Sequence, residues 1–183
     1  MTKVFNPIIT VSGRRFERIP VKTSILTPQD TMSQIVREFV LPLAKPGDIV
    51  TISESPLAIT QGRAIPVSEL KIGLLAKFMW RFVAKVPYGI GLRAPASMQC
   101  AIDECGGARI VFAALCGALG KLFGIKGIFY RVAGMQAALI DAAETSPVPP
   151  YNHTVIKGPL NPGKVAQELA DEFGFEFAVM DIN

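Results

Sequence analysis

Two aspartates, Asp141 and Asp181, are the side chains in this sequence best suited to bind a metal ion. Each follows an apolar run, where a strand would end and its carboxylate could reach an open site. Hard divalent cations prefer oxygen ligands and commonly bridge protein carboxylates to nucleotide phosphates. An Asp after a strand also serves as a turn former or a helix cap, so the pair predicts either a metal site or two structural residues.

The segment of residues 158–165 nearly matches a phosphate-binding P-loop. It follows a predicted strand and enters a predicted helix, which is the setting that such a loop requires. However, Val165 replaces the Ser or Thr whose hydroxyl would hold magnesium, and Pro159 and Pro162 remove two backbone N–H donors. The segment is therefore predicted to be a turn into a helix that Asn161 caps, with Lys164 facing solvent.

Four basic residues allow both a structural and a functional interpretation. Lys77, Arg81 and Lys85 recur every four residues and would form a stripe opposite the apolar face of a helix. This stripe either faces solvent or attracts an anionic ligand or surface. His153 is the only histidine, and because no nucleophile motif accompanies it, we expect a structural role.

The apolar region of residues 98–122 contains three cysteines and one acidic pair. Cys100, Cys105 and Cys116 lack metal-ligand spacing and are predicted to be free, buried thiols in a reducing compartment. Asp103 and Glu104 would point in different directions on a helix, which makes them poor joint ligands.

The composition predicts one globular domain, residues 1–183, with a possible helical subdomain at residues 69–127. Hydrophobic residues make up 50% of the chain and charged residues 19%, which allows a sizeable core. The net charge of +4 suits anionic small molecules, but the chain lacks nucleic-acid-binding motifs, so no nucleic-acid partner is expected. With no signal-peptide pattern and no apolar run of bilayer-spanning length, we expect a cytoplasmic protein without stable membrane insertion.

Periodicity and turn signals predict an α+β chain. Strands are expected at residues 16–26, 49–53, 128–132 and 175–180. Helices are expected at residues 31–40, 69–86, 98–122 and 162–173; the third is interrupted at Gly106, Gly107 and Gly117, and Gly174 ends the last. A turn at residues 45–48, a break at residues 87–95 and a stiff loop at residues 147–150 complete the pattern.

Six groups of short motifs are more informative in their order than singly. They are Arg18-Ile19-Pro20-Val21; Lys45-Pro46-Gly47-Asp48-Ile49-Val50; Ile59-Thr60-Gln61-Gly62-Arg63; Arg131-Val132-Ala133-Gly134 with Ile140-Asp141; Val155-Ile156-Lys157-Gly158-Pro159 with Asn161-Pro162; and Val179-Met180-Asp181. In this succession, which extends over most of the chain, the sequence resembles the coenzyme F-420-0:gamma-glutamyl ligase family. Residues 71–126 look longer and more helical than in the archaeal enzymes.

The resemblance implies a fold of the F-420 gamma-glutamyl ligase type with a helical central insertion, and it implies a homodimer. Such enzymes act in coenzyme F-420 biosynthesis. They use GTP with Mg²⁺ or Mn²⁺ to activate a carboxylate of a deazaflavin phosphodiester as an acyl phosphate, which the amine of L-glutamate then attacks. By position, Asp141 and Asp181 match the metal-binding aspartates. Gln61, Gly62 and Arg63 match a loop that would bind nucleotide or substrate, with Arg63 gripping a phosphate or carboxylate.

Two departures from the family pattern keep alternatives open. The family's usual Ser-Lys-Ala-Glu-Gly-Arg is here Ala58-Ile59-Thr60-Gln61-Gly62-Arg63, which lacks a cation and a carboxylate. The Asn that usually precedes the first metal-binding Asp is replaced by Ala137 or shifted to Gln136. The alternatives are an amino-acid ligase with another anionic acceptor and a non-catalytic nucleotide- or ligand-binding protein of the same fold.

Overall fold

The computed structural model describes residues 7–83, 91–143 and 149–181, and it combines α-helices with short strands. The strands are β1 (Ile8–Val11), β2 (Arg14–Glu17), β3 (Ile49–Ser53), β4 (Ala64–Pro66), β5 (Thr154–Ile156) and β6 (Glu176–Met180). The helices are α1 (Met32–Ile35), α2 (Glu54–Thr60), α3 (Leu74–Met79), α4 (Pro95–Cys105), α5 (Gly107–Leu122), α6 (Ile128–Ala133), α7 (Met135–Ala138) and α8 (Pro162–Phe173). The predicted mixture of helices and strands is therefore confirmed.

The described strands form three small pairs. β1 and β2 make an antiparallel hairpin, and β4 pairs antiparallel with β5. β3 and β6 are parallel, in a register that places Ser53 opposite Met180. Parallel strands need a long crossover connection, and here everything from α2 to α8 lies between the two strands.

Two main groups of apolar side chains hold the elements together. The larger is helical and centres on Leu92, Met98 and Ile110, and it reaches Val155 in β5. The other packs α1, α2 and α8 against each other through Val36, Leu57 and Leu169. A smaller group, Ala58, Ile59 and Ile156, connects α2 to β5. Consequently α2 packs both against α1 and α8 and against β5. Its first turn lies directly at the end of β3.

Several predicted elements begin and end where local signals place them. Thr31 forms a capping box with Gln34 at the start of α1, and the helix then continues as a π-helix over Val36–Val40. In the predicted turn, the Lys45 N–H donates to the Asp48 carboxylate at 2.8 Å and the Asp48 N–H donates to the Lys45 carbonyl at 3.0 Å. β3 matches its predicted bounds.

The predicted strand at residues 16–26 is wrong beyond Glu17, where β2 ends. Residues 18–27 continue without regular structure. Pro20 has no N–H to extend the hairpin. The segment is instead fixed at its far end, where the Tyr151 hydroxyl donates to the Leu26 carbonyl at 2.6 Å.

The predicted helix at residues 69–86 is also wrong. The chain forms a 3₁₀ turn at Val67–Glu69, then α3, then a second 3₁₀ turn at Trp80–Phe82. α3 begins only after Gly73, whose N–H donates to the Gln99 side chain of α4 at 2.9 Å. Lys85, the end of that predicted helix and residues 87–90 of the predicted break lie outside the described residues, as do Pro147 and Val148.

A third correction concerns residues 128–132, predicted as a strand but folded as α6. α6 packs closely on α5, and the closeness shows at two glycines of α5. A Cβ added at Gly117 would lie 3.2 Å from the Phe129 Cβ, and one added at Gly120 would lie only 2.2 Å from Ile128. Gly117 therefore does not interrupt α5 as predicted but permits the approach of α6. The predicted break at Gly106 is present, with a positive φ of 85°.

Candidate carboxylate site

The site begins where β3 and β6 end side by side. Because the pair is parallel and Ser53 lies opposite Met180, the next residues, Glu54 and Asp181, emerge at the same edge. In open sheets of parallel strands, ligands bind at this carboxyl edge. Asp181 thus follows a strand as predicted, and Glu54 starts α2 beside it.

Asp141 reaches this edge from another direction. It exchanges two backbone hydrogen bonds with Ile156, of 2.8 and 3.1 Å, and so extends the β4–β5 pair by one isolated bridge. Its carboxylate accepts a hydrogen bond from the Ser55 hydroxyl at 3.2 Å, which connects it to the first turn of α2. The prediction that a strand ends at Asp141 is wrong, because the apolar run before it forms α7.

The charges of Asp141 and Asp181 act on Glu54, and the charge of Asp181 also acts on Asp141. The surrounding protein partly desolvates Glu54 and raises the pKa of its carboxyl, and the charges of Asp181 and Asp141 raise it further. Asp141 retains solvent exposure, yet desolvation by its neighbours raises its pKa; the Ser55 hydrogen bond opposes this rise and Asp181 adds to it. Like charges held together in this way attract a cation.

The donor set suits a hard divalent cation only in part. Among residues 7–83, 91–143 and 149–181, no three His, Cys, Asp or Glu side chains are placed to hold one metal ion. Mg²⁺, however, is commonly held by one or two protein carboxylates together with water and substrate phosphates. Asp141 and Asp181 therefore fit a cation that a bound phosphate also contacts, rather than a cage made by the protein alone.

The predicted binding loop is well ordered by its own hydrogen bonds. Gly62, at φ 68°, ends α2 in a Schellman motif: its N–H donates to Ile59, and the Arg63 N–H donates to Ala58. The Gln61 amide pairs with the backbone of Leu160, donating at 3.0 Å and accepting at 2.7 Å. Gln61 thus joins the end of α2 to the segment of residues 158–162.

Arg63 lies in an ion cluster with Glu104 and Lys157, and the three side chains are only 11%, 16% and 14% exposed. Arg63 donates to the Gly158 carbonyl at 2.6 Å and to the Glu104 carboxylate at 2.7 Å, and Lys157 donates to Glu104 at 2.9 Å. Burial raises the pKa of Glu104, but the hydrogen bonds from Arg63 and Lys157, together with their positive charges, outweigh this effect, and the pKa is lowered overall. To grip a ligand as predicted, Arg63 would have to exchange Glu104 for it.

The P-loop-like segment is built as a turn into α8. Its Leu160 N–H is already taken by Gln61, and the two prolines supply none. Lys164 is exposed and lies 3.6 Å from Glu168 one helical turn later. Asn161 occupies the N-cap position, but the predicted cap is wrong: its backbone is left-handed, at φ 47°, and its side chain makes no capping hydrogen bond.

The other candidates have structural surroundings. Asp103 accepts from Gln99 at 2.7 Å while Glu104 turns to the ion cluster, which confirms that the two side chains point in different directions. All three cysteines are free; Cys100 is buried and the other two are partly buried. His153 is exposed at the end of a 3₁₀ turn. A groove of about 600 Å³ between α8 and β6 contains none of the three carboxylates.

Sequence reasoning missed Glu54, Ser55 and the role of Glu104. The rule that selected Asp181, a carboxylate directly after a buried strand, applies equally to Glu54 after β3. Glu104 had no comparable signal, because its partners are 41 and 53 positions away.

Comparisons with known proteins leave the family open. No protein-family model matches the chain, and no curated protein matches it either.

Proposed function

We propose that this protein is a nucleotide- and divalent-cation-dependent ligase that joins the amine of L-glutamate to a carboxylate of an anionic acceptor, in the manner of the F-420-0:gamma-glutamyl ligases. The observation that carries the proposal is the convergence of Glu54, Asp141 and Asp181 at the carboxyl edge of β3 and β6. In the same proposal, α3 to α5 form the helical central insertion of that fold type.

The proposed reaction has two steps. The terminal phosphoryl group of GTP passes to the acceptor carboxylate, giving an acyl phosphate and GDP. The glutamate amine then attacks the acyl carbon, an amide bond forms, and phosphate leaves with the electrons of the broken C–O bond. A divalent cation held by Asp141 and Asp181 would neutralise phosphate charge. The Ser55 hydroxyl orients the Asp141 carboxylate, and Glu54, with its raised pKa, is the neighbouring group suited to take the proton that the amine loses.

The test is a phosphate-release assay with GTP, Mg²⁺ or Mn²⁺, L-glutamate and the deazaflavin phosphodiester, with the amide product identified by mass spectrometry. Asp141→Asn and Asp181→Asn should each lower turnover on the order of 100-fold or more, since each removes charge stabilisation from phosphoryl transfer. Asp171→Asn is the matched control, because this exposed carboxylate in α8 bonds only to Gln167 among the hydrogen bonds of the described residues.

Metal binding is measured separately from turnover. Mn²⁺ with GTP should raise the melting temperature of the wild type and of Asp171→Asn, but not that of the Asp141→Asn, Asp181→Asn double variant. Equal stabilisation of the double variant would refute the site. Turnover with another carboxylate acceptor alone would assign a related ligase, and nucleotide binding without turnover would assign a binding protein.

A further inference from the structure

The outward face of α5 is apolar. Phe112, Leu115, Leu119 and Leu122 are spaced by three or four residues and lie on one side of the helix, and all four are exposed. The stripe continues past the end of α5 into Phe123 and Ile125. Leu122 is 81% exposed and Phe123 79%. The opposite side of α5 supplies the buried Ile110 and Ala113, so this helix has an apolar core face and a second apolar face that the described residues do not cover.

α3 and its 3₁₀ extension also expose apolar side chains, here together with basic ones. The apolar face that was predicted opposite the basic residues is itself exposed: Leu74 is 85% exposed, and the exposed rings of Phe78 and Phe82 are tilted against each other with centroids 4.9 Å apart. Lys77 and Arg81 are exposed between them. Ala76 and Met79 are the residues that α3 buries in the core.

The two helices adjoin, and their region is strongly cationic. Leu75 of α3 lies against Gly107, the first residue of α5: a Cβ added at Gly107 would lie 3.0 Å from the Leu75 Cδ2. Residues 71–140 contain nine Lys or Arg and two acidic residues, for a charge of +7. The rest of the chain contains ten Lys or Arg and thirteen acidic residues, for a charge of −3. Exposed apolar side chains and positive charge therefore occur together in one region of the molecule.

We infer that the outer faces of α3 and α5 dock this protein onto an anionic lipid bilayer. Exposed Phe and Leu side chains would enter the boundary between headgroups and acyl chains, while Lys77, Arg81, Lys121 and Lys126 meet the lipid phosphates. Docking would lie in the interface, because in the described part of the chain no single helix is long and apolar enough to cross a bilayer, and α4 with α5 reach that length only as a pair bent by 111°.

Charge decides between a bilayer and a second copy of this chain. A two-fold dimer places the same patch against itself. Here that contact would bring two regions of charge +7 together, and like charges across an interface are unfavourable. An anionic bilayer supplies the opposite charge together with an apolar layer. The inference is independent of the proposed ligase activity.

The test is co-sedimentation of the full chain with vesicles of equal parts phosphatidylcholine and phosphatidylglycerol, compared with phosphatidylcholine alone. The wild type should bind the anionic vesicles, and salt should weaken the binding. The triple variant Leu119→Gln, Leu122→Gln, Phe123→Gln should lose at least about tenfold in affinity, and so should Lys121→Glu with Lys126→Glu. All five positions are exposed, so circular dichroism should show an unchanged fold.

Matched controls alter exposed residues in the acidic remainder of the chain. Ile19→Gln with Ile25→Gln, and Lys45→Glu with Lys164→Glu, should bind as the wild type does. Binding that is absent, equal on neutral vesicles, or unchanged in the α5 variants overturns the inference. So does a wild-type dimer in analytical ultracentrifugation that the triple variant dissociates while neither protein binds vesicles, since a second copy would then cover this face.

Discussion

At the end of β3 and β6, Glu54 and Asp141 are harder to ionise than in water. Burial and mutual repulsion raise the pKa of Glu54, and desolvation and Asp181 raise that of Asp141. The repulsion between these carboxylates is relieved when one of them is protonated or when a cation binds to them. The stability of the metal-free protein should therefore depend on the charge of this edge.

Asp141→Asn tests that dependence. A raised carboxyl pKa contributes stability that is fully present below the unfolded pKa, about 3.9, and is lost as the pH rises through the native pKa. Because the Asn oxygen can still accept from Ser55 and carries no charge, the variant should melt at a higher temperature than the wild type at neutral pH without metal. The difference should disappear near about pH 3, where both side chains are neutral.

Thermal unfolding followed by circular dichroism measures the effect, with Asp171→Asn as the control that should show no such trend. An Asp141→Asn protein that is less stable than the wild type at neutral pH, with metal removed, would contradict the raised pKa. With Mn²⁺ and GTP present the order should reverse, because the wild type alone keeps both ligands.

The candidate site could be predicted from the sequence only where a local pattern carries the information. Asp181 was found because the apolar run before it is a strand. Asp141 was selected because a strand was expected to end there; that strand is absent, and the position of Asp141 depends on the bridge to Ile156. The ion partners of Arg63 could not be predicted, because they are set by packing of distant segments.

At the scale of elements, ends with capping signals were predictable and interiors set by packing were not. Gly174, in a left-handed conformation, ends α8 where expected. By contrast, the run Ile128-Phe129-Tyr130-Arg131-Val132 has the β-branched and aromatic residues typical of a strand. It folds as α6 because two glycines of α5 leave room for a helix there.

The start of α8 separates a capping role from a conformational one. Because Asn161 has φ 47° and no capping bond, its value lies in tolerating the left-handed region, which costs other L-residues about 1–2 kcal/mol. Asn161→Ala should therefore lower the free energy of unfolding by about 1 kcal/mol, while Asn161→Gly should leave it unchanged or raise it. Urea denaturation measures both. A loss in the Gly variant as large as in the Ala variant would restore a side-chain role for Asn161.

At the scale of the whole molecule, the ion cluster joins two parts of opposite charge. Glu104 belongs to α4 in the cationic helical region, whereas Arg63 follows α2 and Lys157 follows β5. Its one carboxylate neutralises two nearly buried cations from the other part of the chain. The positions of Gly158 and of the Arg63 turn depend on the same contacts, since Arg63 also donates to the Gly158 carbonyl.

Glu104→Gln should consequently lower the free energy of unfolding by more than Asp103→Asn does. Breaking a fully buried pair costs about 3–5 kcal/mol, and partial exposure should reduce this to about 2 kcal/mol. Because the pKa of Glu104 is lowered, its contribution is present above the unfolded pKa of about 4.3 and is lost as the pH falls through the native pKa. The destabilisation caused by Glu104→Gln should thus be largest at neutral pH and shrink in acid.

The control is Asp103→Asn, one residue earlier on α4 and bonded to Gln99. It should change the free energy of unfolding in urea by no more than about 0.5 kcal/mol. If the two variants unfold at the same urea concentration, the cluster does not hold the helical region to the strands, and other contacts between them, such as those of Val155, do so instead.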